Sequence, residues 1–316
     1  MLGISACGDS GSSDVVSAPP PEPAKPEDFP SAKGKTLRGM LADVGSSGPV
    51  IAASVSQFKP GENRFGFALF DEARAQIAEA PVVIYLAPVG GGRVRGPIRT
   101  RFEQMDVKPQ FQSRSVSEDK DAAQSLYVAD IDLPKPGRYE LLGLARLDGR
   151  IVAATPAGGA LTVAKEGPVP DVGDKAPVVH TDTVASANGN LESIDTRRPA
   201  SSMHDVDFAD VVGRKPTVLL FATAALCQSR VCGPVIDVTE QVKAERGDDD
   251  VAFVHQEIFV DNQIDKGQRP PVAAWGLPTE PWVFVVGADG RIAARFEGAF
   301  SADELNAAID KAVRQS

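Results

Sequence analysis

The sequence predicts a multi-domain chain in which an antiparallel β-sandwich precedes an α/β domain. Three observations carry this reading. The 316 residues leave room for about two domains of ~100–200 residues each. Between about residues 48 and 165, short apolar runs alternate with Gly/Pro turns, and no helical period is present. Beyond about residue 170, continuous apolar runs alternate with amphipathic stretches, as buried parallel strands and their crossover helices should. Hydrophobic residues make up 42% and charged residues 24%, which excludes a wholly disordered or fibrous chain. The net charge of −10 argues against a basic surface that tracks phosphates, so no nucleic-acid partner is expected.

The chain opens MLGISACGDSGSSD. Ile4-Ser5-Ala6-Cys7 resembles a bacterial lipobox, and the resemblance implies lipidation of Cys7 and a membrane as partner through that anchor. Residues 1–7 would then be the end of a truncated signal, because the six residues before Cys7 hold neither a basic region nor the usual apolar stretch of ~7–15 residues. Residues 8–47 are Ser/Gly-rich and then carry six prolines between Pro19 and Pro30. That composition favours extended chain over a packed core and reads as a disordered stalk. The expected location is the extracytoplasmic face of a bacterial plasma membrane.

In residues 48–165 the runs VIAASVSQF, RFGFALF, VVIYLAP, SLYVADIDL, YELLGLARL, IVAATPAGG and ALTVA read as strands, with GGGRVRGP, PKPG and DGR as turns. LPKPGRYELLGLARLDGR resembles the penultimate hairpin of immunoglobulin-like domains, where a Pro-Gly turn precedes a Tyr-bearing strand. The resemblance is architectural. It implies a spacer or binding module and no specific activity, and the absence of His and Cys from this stretch disfavours a metal site there.

Residues 166–316 follow a second linker, KEGPVPDVGDKAP. Asp207 should cap a short helix stopped by Gly213, and TVLLFAT is a buried central strand. A helix through VIDVTEQVKAERG should place Val235, Val238 and Val242 on one stripe, with Gly247 closing it. DVAFVHQEIFV is a second buried strand, and WVFVVGADGRIAARF forms a hairpin around Asp289-Gly290. Ser301 and Glu304 form the capping box of a final helix. This β-α-β…β-β-α order resembles the thioredoxin fold, and VGDKAP is similar to the segment that opens its periplasmic and peroxiredoxin-like members. The resemblance implies a cis-proline before the hairpin strand, opposite the active-site cysteines. Pro281 lies nine residues before Gly290 and directly before WVFVV, so it takes that role, with Glu280 supplying the backbone that faces the cysteines.

The cysteines depart from the family's Cys-x-x-Cys: four residues separate Cys227 from Cys232. Aligned from the strand, Cys227 matches the nucleophile; aligned on Cys232-Gly233-Pro234, Cys232 does. In one regular helix the two would sit about 7.5 Å apart along the axis, beyond the ~7 Å Cα limit for a disulfide. A helix starting at Pro234 with Gly233 as cap would leave both in a loop that closes easily. Either way one thiol lies near a helix N-terminus, with Arg230 adding positive charge. The resemblance implies a thiol–disulfide oxidoreductase acting on protein thiols or disulfides; the alternative is a non-catalytic binding module with a structural disulfide. Two cysteines and a distant His255 are also similar to copper-handling thioredoxin-fold proteins related to cytochrome oxidase assembly, with a cysteine spacing one residue longer. His255 otherwise reads as a packed or rim side chain, His180 and His204 as solvated, and Trp275 and Trp282 as core. No cofactor and no metal site are expected.

Overall fold

The structure is a computed structural model and describes residues 23–45, 47–227, 229–247 and 250–315. Cys7, the lipobox-like segment and the first part of the expected stalk lie outside the described residues. The N-terminal part comprises α1 (Leu37–Val44), β1 (Val50–Ala53), β2 (Gly61–Phe70), β3 (Gln76–Ile77), β4 (Val82–Pro88), β5 (Arg95–Gln104), α2 (Arg114–Glu118), β6 (Ser125–Leu133), β7 (Gly137–Leu147), β8 (Arg150–Pro156) and β9 (Leu161–Val163). Seven strands pair in the order β1-β8-β7-β4-β5-β6-β2, and β2 pairs back to β1. The expected immunoglobulin-like sandwich of two separate sheets is therefore corrected to a closed barrel. The physical reason lies in β5 and β1. Residues 95–99 of β5 pair with β4 and residues 100–104 with β6, while β1 bonds antiparallel to β2 and parallel to β8. Both corners are bridged, so among the described residues the seven strands close on themselves.

The described part of the segment expected as a stalk is not extended from the domain. From Ala24 onward the chain is folded on the barrel: Ala24, Phe29, Ala32, Leu37 and Met40 are buried against Val83, Tyr85 and Leu144. Val82, Ile84 and Leu86 face the barrel interior while Val83, Tyr85 and Ala87 face this outer layer. β4 is thus buried on both faces, and its sequence is a continuous apolar run for that reason. The Tyr85 hydroxyl donates to the Pro30 carbonyl at 2.6 Å, and Thr36 caps α1 by accepting from Gly39 N. The prolines set an extended path here without preventing burial of the apolar residues between them.

The C-terminal part comprises α3 (Phe208–Val211), β10 (Thr217–Phe221), α4 (Cys232–Arg246), β11 (Ala252–Gln256), α5 (Pro270–Ala274), β12 (Trp282–Val286), β13 (Ile292–Glu297) and α6 (Ala302–Gln315). The sheet order is β11-β10-β12-β13; β10 and β11 are parallel, the other pairs antiparallel. This is the element order expected from the sequence. One face packs Val218, Leu220, Val283 and Val285 against α4 and α6; the other packs Leu219, Phe221 and Phe284 against Trp275. Gly247 takes the left-handed conformation at φ +58° that ends α4. Ser301 Oγ accepts from Glu304 N at 3.2 Å, as the capping box requires.

The two parts share one core. Met105, Leu126 and Val128 of the barrel join the α4/α6 cluster. Arg64 makes a bidentate pair with Glu304 through Nε (2.8 Å) and Nη2 (2.6 Å). The expected linker at 165–177 is not a free connection: Val169 and Ala176 are buried, and Gly173 N and Ala176 N donate to the Ile292 and Gly290 carbonyls. The segment lies along the β12–β13 hairpin because its valine and alanine fill the apolar face that includes Trp282.

Candidate functional site

β10 is buried over its whole length and ends at Phe221. The chain then loops to Cys232, the first residue of α4, and a disulfide joins Cys227 to Cys232 with a Cα–Cα distance of 6.0 Å. The helix starts two residues before the expected Pro234. First-turn N–H groups have no intrahelical partner, so a proline fits at several positions there and does not mark the start. Cys232 is fully buried, whereas Cys227 is half-buried, with Ser229 Oγ 3.2 Å from its sulfur. The positive charge expected from Arg230 is balanced: its guanidinium pairs with Asp119 at 3.2 Å and with Asp121, both in the loop after α2.

The Glu280–Pro281 peptide is cis. Trp282 pairs with Phe221, so the cis-proline and the cysteine loop leave the sheet at the same end. Barrel contacts fix this loop: Glu297 accepts from Thr279 Oγ1 (2.8 Å), Ser56 Oγ (2.7 Å) and Gln57 N (2.9 Å). Thr279 Oγ1 in turn accepts from Trp282 Nε1 at 3.1 Å. Glu280 is half-buried, and burial pushes its carboxyl above the usual range. A carboxylate so placed is more easily neutralised than one in water.

A cavity of about 270 Å³ opens beside the disulfide, and both parts of the chain line it. Ala224, Cys227 and Pro234 form one wall; Ser115, Val116 and Asp119, on and just after α2, form the other. A Cβ on Gly233 would come within 2.9 Å of Val116 Cγ2, so the close approach of α2 needs glycine there. Sequence reasoning missed this wall, because nothing in the local pattern of 113–122 says what it will cover. One turn further along the same face, α4 is held by polar contacts. Asp237 accepts from Ser113 N (2.8 Å), Ser113 Oγ (3.0 Å) and Arg197 Nε (2.8 Å), and burial outweighs these in setting its carboxyl above the usual range.

The histidines differ most from expectation. His204 is buried, not solvated, because Asp195 from the preceding loop meets its Nε2 at 3.0 Å. His255 is buried on β11: Nε2 lies 3.1 Å from the Ala222 carbonyl and Nδ1 lies 3.1 Å from Ser201 Oγ and 3.4 Å from Asp195. Burial opposes its charge, but Asp195 prevails and the imidazole is pushed up to about 9. The Asp195 carboxyl is held well below its ordinary range by the two histidines, against the effect of burial. Among the described residues, the side chains that gather around His255 are Asp195 and His204, and no cysteine joins them. His180 is exposed as expected, with Nδ1 2.6 Å from Asp207, and Trp275 and Trp282 are core side chains. Among the described residues, no helix is long and apolar enough to cross a membrane.

No protein-family model and no curated protein matches this chain. Among solved structures, a thiol:disulfide interchange protein of the thioredoxin family from Chlorobium tepidum is similar at 16% identity, with a TM-score of 0.31, over 46% of this chain and 99% of its own. A thioredoxin-like superfamily protein is similar at 15% identity, with a TM-score of 0.32, over 46% and 99%. Likenesses this low carry no activity over to the present chain.

Proposed function

We propose that the chain is a thiol–disulfide oxidoreductase in which Cys227 and Cys232 exchange with protein thiols or disulfides. The observation that carries this is the asymmetry of the pair: a half-buried Cys227 bonded to a fully buried Cys232 at the first position of α4, with a cis-proline at the same end of the sheet. In the reduced state the Cys227 thiolate attacks a partner disulfide. One partner sulfur leaves as thiolate and a mixed disulfide forms. The Cys232 thiolate then attacks Cys227 Sγ, the second partner sulfur leaves with the electron pair, and the intramolecular disulfide is restored. The partner is reduced by two electrons and the cysteine pair is oxidised by two. Helix-terminal N–H groups stabilise the Cys232 thiolate, and the cis Glu280–Pro281 peptide enters β12 at the end of the sheet where the cysteine loop leaves β10. The lipobox-like sequence at Cys7 and the paired cysteines support an extracytoplasmic, lipid-anchored location within the same proposal. Reduction of a disulfide-bonded protein substrate, followed by turbidity with dithiothreitol as recycling reductant, tests it: the wild type should outpace Cys227→Ser clearly. Equal rates would instead support a binding module with a structural disulfide, the reading that the pairing of Arg230 with Asp119 and Asp121 favours.

A further inference from the structure

We propose that Asp195, His204 and His255 form a binding site for a divalent first-row metal ion, of which zinc is the representative, independent of the cysteine pair. The three side chains are buried, and their ligand atoms lie within 4.8 Å of one another.

The hydrogen-bond roles point to a cation. His204 Nδ1 lies 3.2 Å from the Asp182 carbonyl oxygen, and His255 Nε2 lies 3.1 Å from that of Ala222. A carbonyl oxygen only accepts, so these two nitrogens carry the hydrogens. In neutral rings the lone pairs then sit on His204 Nε2 and His255 Nδ1. Those are the two atoms that face Asp195 Oδ2, at 3.0 and 3.4 Å. A carboxylate oxygen also only accepts, so lone pair meets lone pair unless further protons or one metal ion lie among them. The Ser201 hydroxyl, 3.1 Å from His255 Nδ1, can satisfy that nitrogen and leaves His204 unsolved. Either a proton on His204 Nε2 or one metal ion shared by all three side chains resolves that contact, and only the metal engages His255 Nδ1, His204 Nε2 and Asp195 together.

The surroundings fit that occupant. A histidine whose second N–H is tied to a backbone carbonyl is the usual arrangement for a metal ligand. With metal–ligand bonds of ~2.0–2.1 Å, tetrahedral neighbours sit roughly 3.3 Å apart, close to the two separations to Asp195. The carboxylate is itself oriented, with Oδ1 accepting from Arg197 N (2.7 Å) and Oδ2 from Ser201 N (2.6 Å). Two imidazoles and a carboxylate are borderline donors that suit zinc. The site also has structural work to perform. Residues 164–207 hold no α-helix and no strand beyond a single bridge, an uncommon length of irregular chain inside a compact fold. Asp195 and His204 come from it and His255 from β11, so an ion would fasten it to the sheet.

The test uses the full chain with Cys7→Ser and the Cys227–Cys232 disulfide oxidised, stripped with a chelator and titrated with zinc by calorimetry. One zinc should bind per chain, X-ray absorption should show nitrogen and oxygen but no sulfur around it, and His204→Gln and Asp195→Asn should each weaken it at least tenfold. Absence of binding to the stripped protein, sulfur in the zinc shell, or affinity unchanged in both variants overturns the proposal. Should the variants fail to fold, nitrogen NMR of the unsubstituted rings decides: signals of His204 Nε2 and His255 Nδ1 that do not change on adding zinc overturn it. None of these readouts depends on thiol exchange.

Discussion

Replacing Asp237 with leucine should destabilise the chain far more than replacing its partner Arg197 with methionine. Both side chains are buried, at 1% and 5% exposure. Arg197 also donates to the Pro199 and Phe111 carbonyls at 2.8 and 2.7 Å, so the pair ties α4 to two irregular segments. Asp237→Leu leaves a guanidinium that cannot shed its proton, and orphans Ser113 N. Breaking a buried pair in this way costs about 3–5 kcal/mol. With a urea m-value of ~3 kcal/mol/M, the midpoint falls by roughly 1–2 M. Arg197→Met leaves a carboxyl that is already raised by burial and can neutralise itself. An acid whose folded pKa lies above its unfolded value is favoured at low pH, so the deficit of Arg197→Met should shrink as pH falls from 7 towards 5. The double variant should recover part of the Asp237→Leu loss, since no charge is left buried, while Ser113 N and the Pro199 and Phe111 carbonyls still lack these partners. Urea unfolding followed by fluorescence of Trp275 and Trp282, both buried, reads all three. An Asp237→Leu no worse than Arg197→Met at pH 7, or an Arg197→Met deficit that does not shrink with acid, would refute the reasoning.

Three further outcomes are expected. Tyr85→Phe removes the bond to the Pro30 carbonyl at a cost of about 0.5–1.5 kcal/mol, and limited proteolysis should then cut faster within residues 24–36. Burial opposes ionisation of Glu304, but Arg64 and Arg101 hold its carboxyl below the usual range. That contribution is complete above the unfolded pKa near 4.5 and is lost as pH falls through the lower folded value, so hydrogen exchange at the start of α6 should quicken below about pH 4.5. Gly233→Ala, which ordinarily gains about 0.5–1 kcal/mol in a helix, should gain nothing here because of the 2.9 Å approach to Val116; Val116→Ala should restore the gain in thermal unfolding.

Local chemistry made the strand–cysteine–helix junction, the cis-proline and the α6 capping box legible, because each is written within a dozen residues. Thr217–Phe221 is apolar throughout because both faces are buried, and such a run can be read directly. The start of β5 reads as part of the Gly-rich turn GGGRVRGP, and RGPIRTRFEQ with its three arginines carries no continuous apolar run to mark a strand. Its side chains serve corner contacts, not a continuous apolar face. His204 looked solvated in its polar context, and only the fold brings Asp195 and His255 to it. The wall that α2 gives the cysteine cavity and the burial of 24–44 are likewise long-range facts, set by which surfaces β4 and α4 leave to be covered.

The central claim rests on the unequal exposure of the two sulfurs, and trapping the mixed disulfide tests it most directly. In a Cys7→Ser background, Cys232→Ser and Cys227→Ser are each incubated, reduced and freed of reductant, with a disulfide-bonded peptide, and the adducts are read by mass spectrometry. Cys232→Ser should accumulate a mixed disulfide through Cys227, while Cys227→Ser, whose remaining sulfur sits fully buried in the first turn of α4, should form little or none. Adducts on neither variant, or a faster adduct through Cys232, would contradict the account.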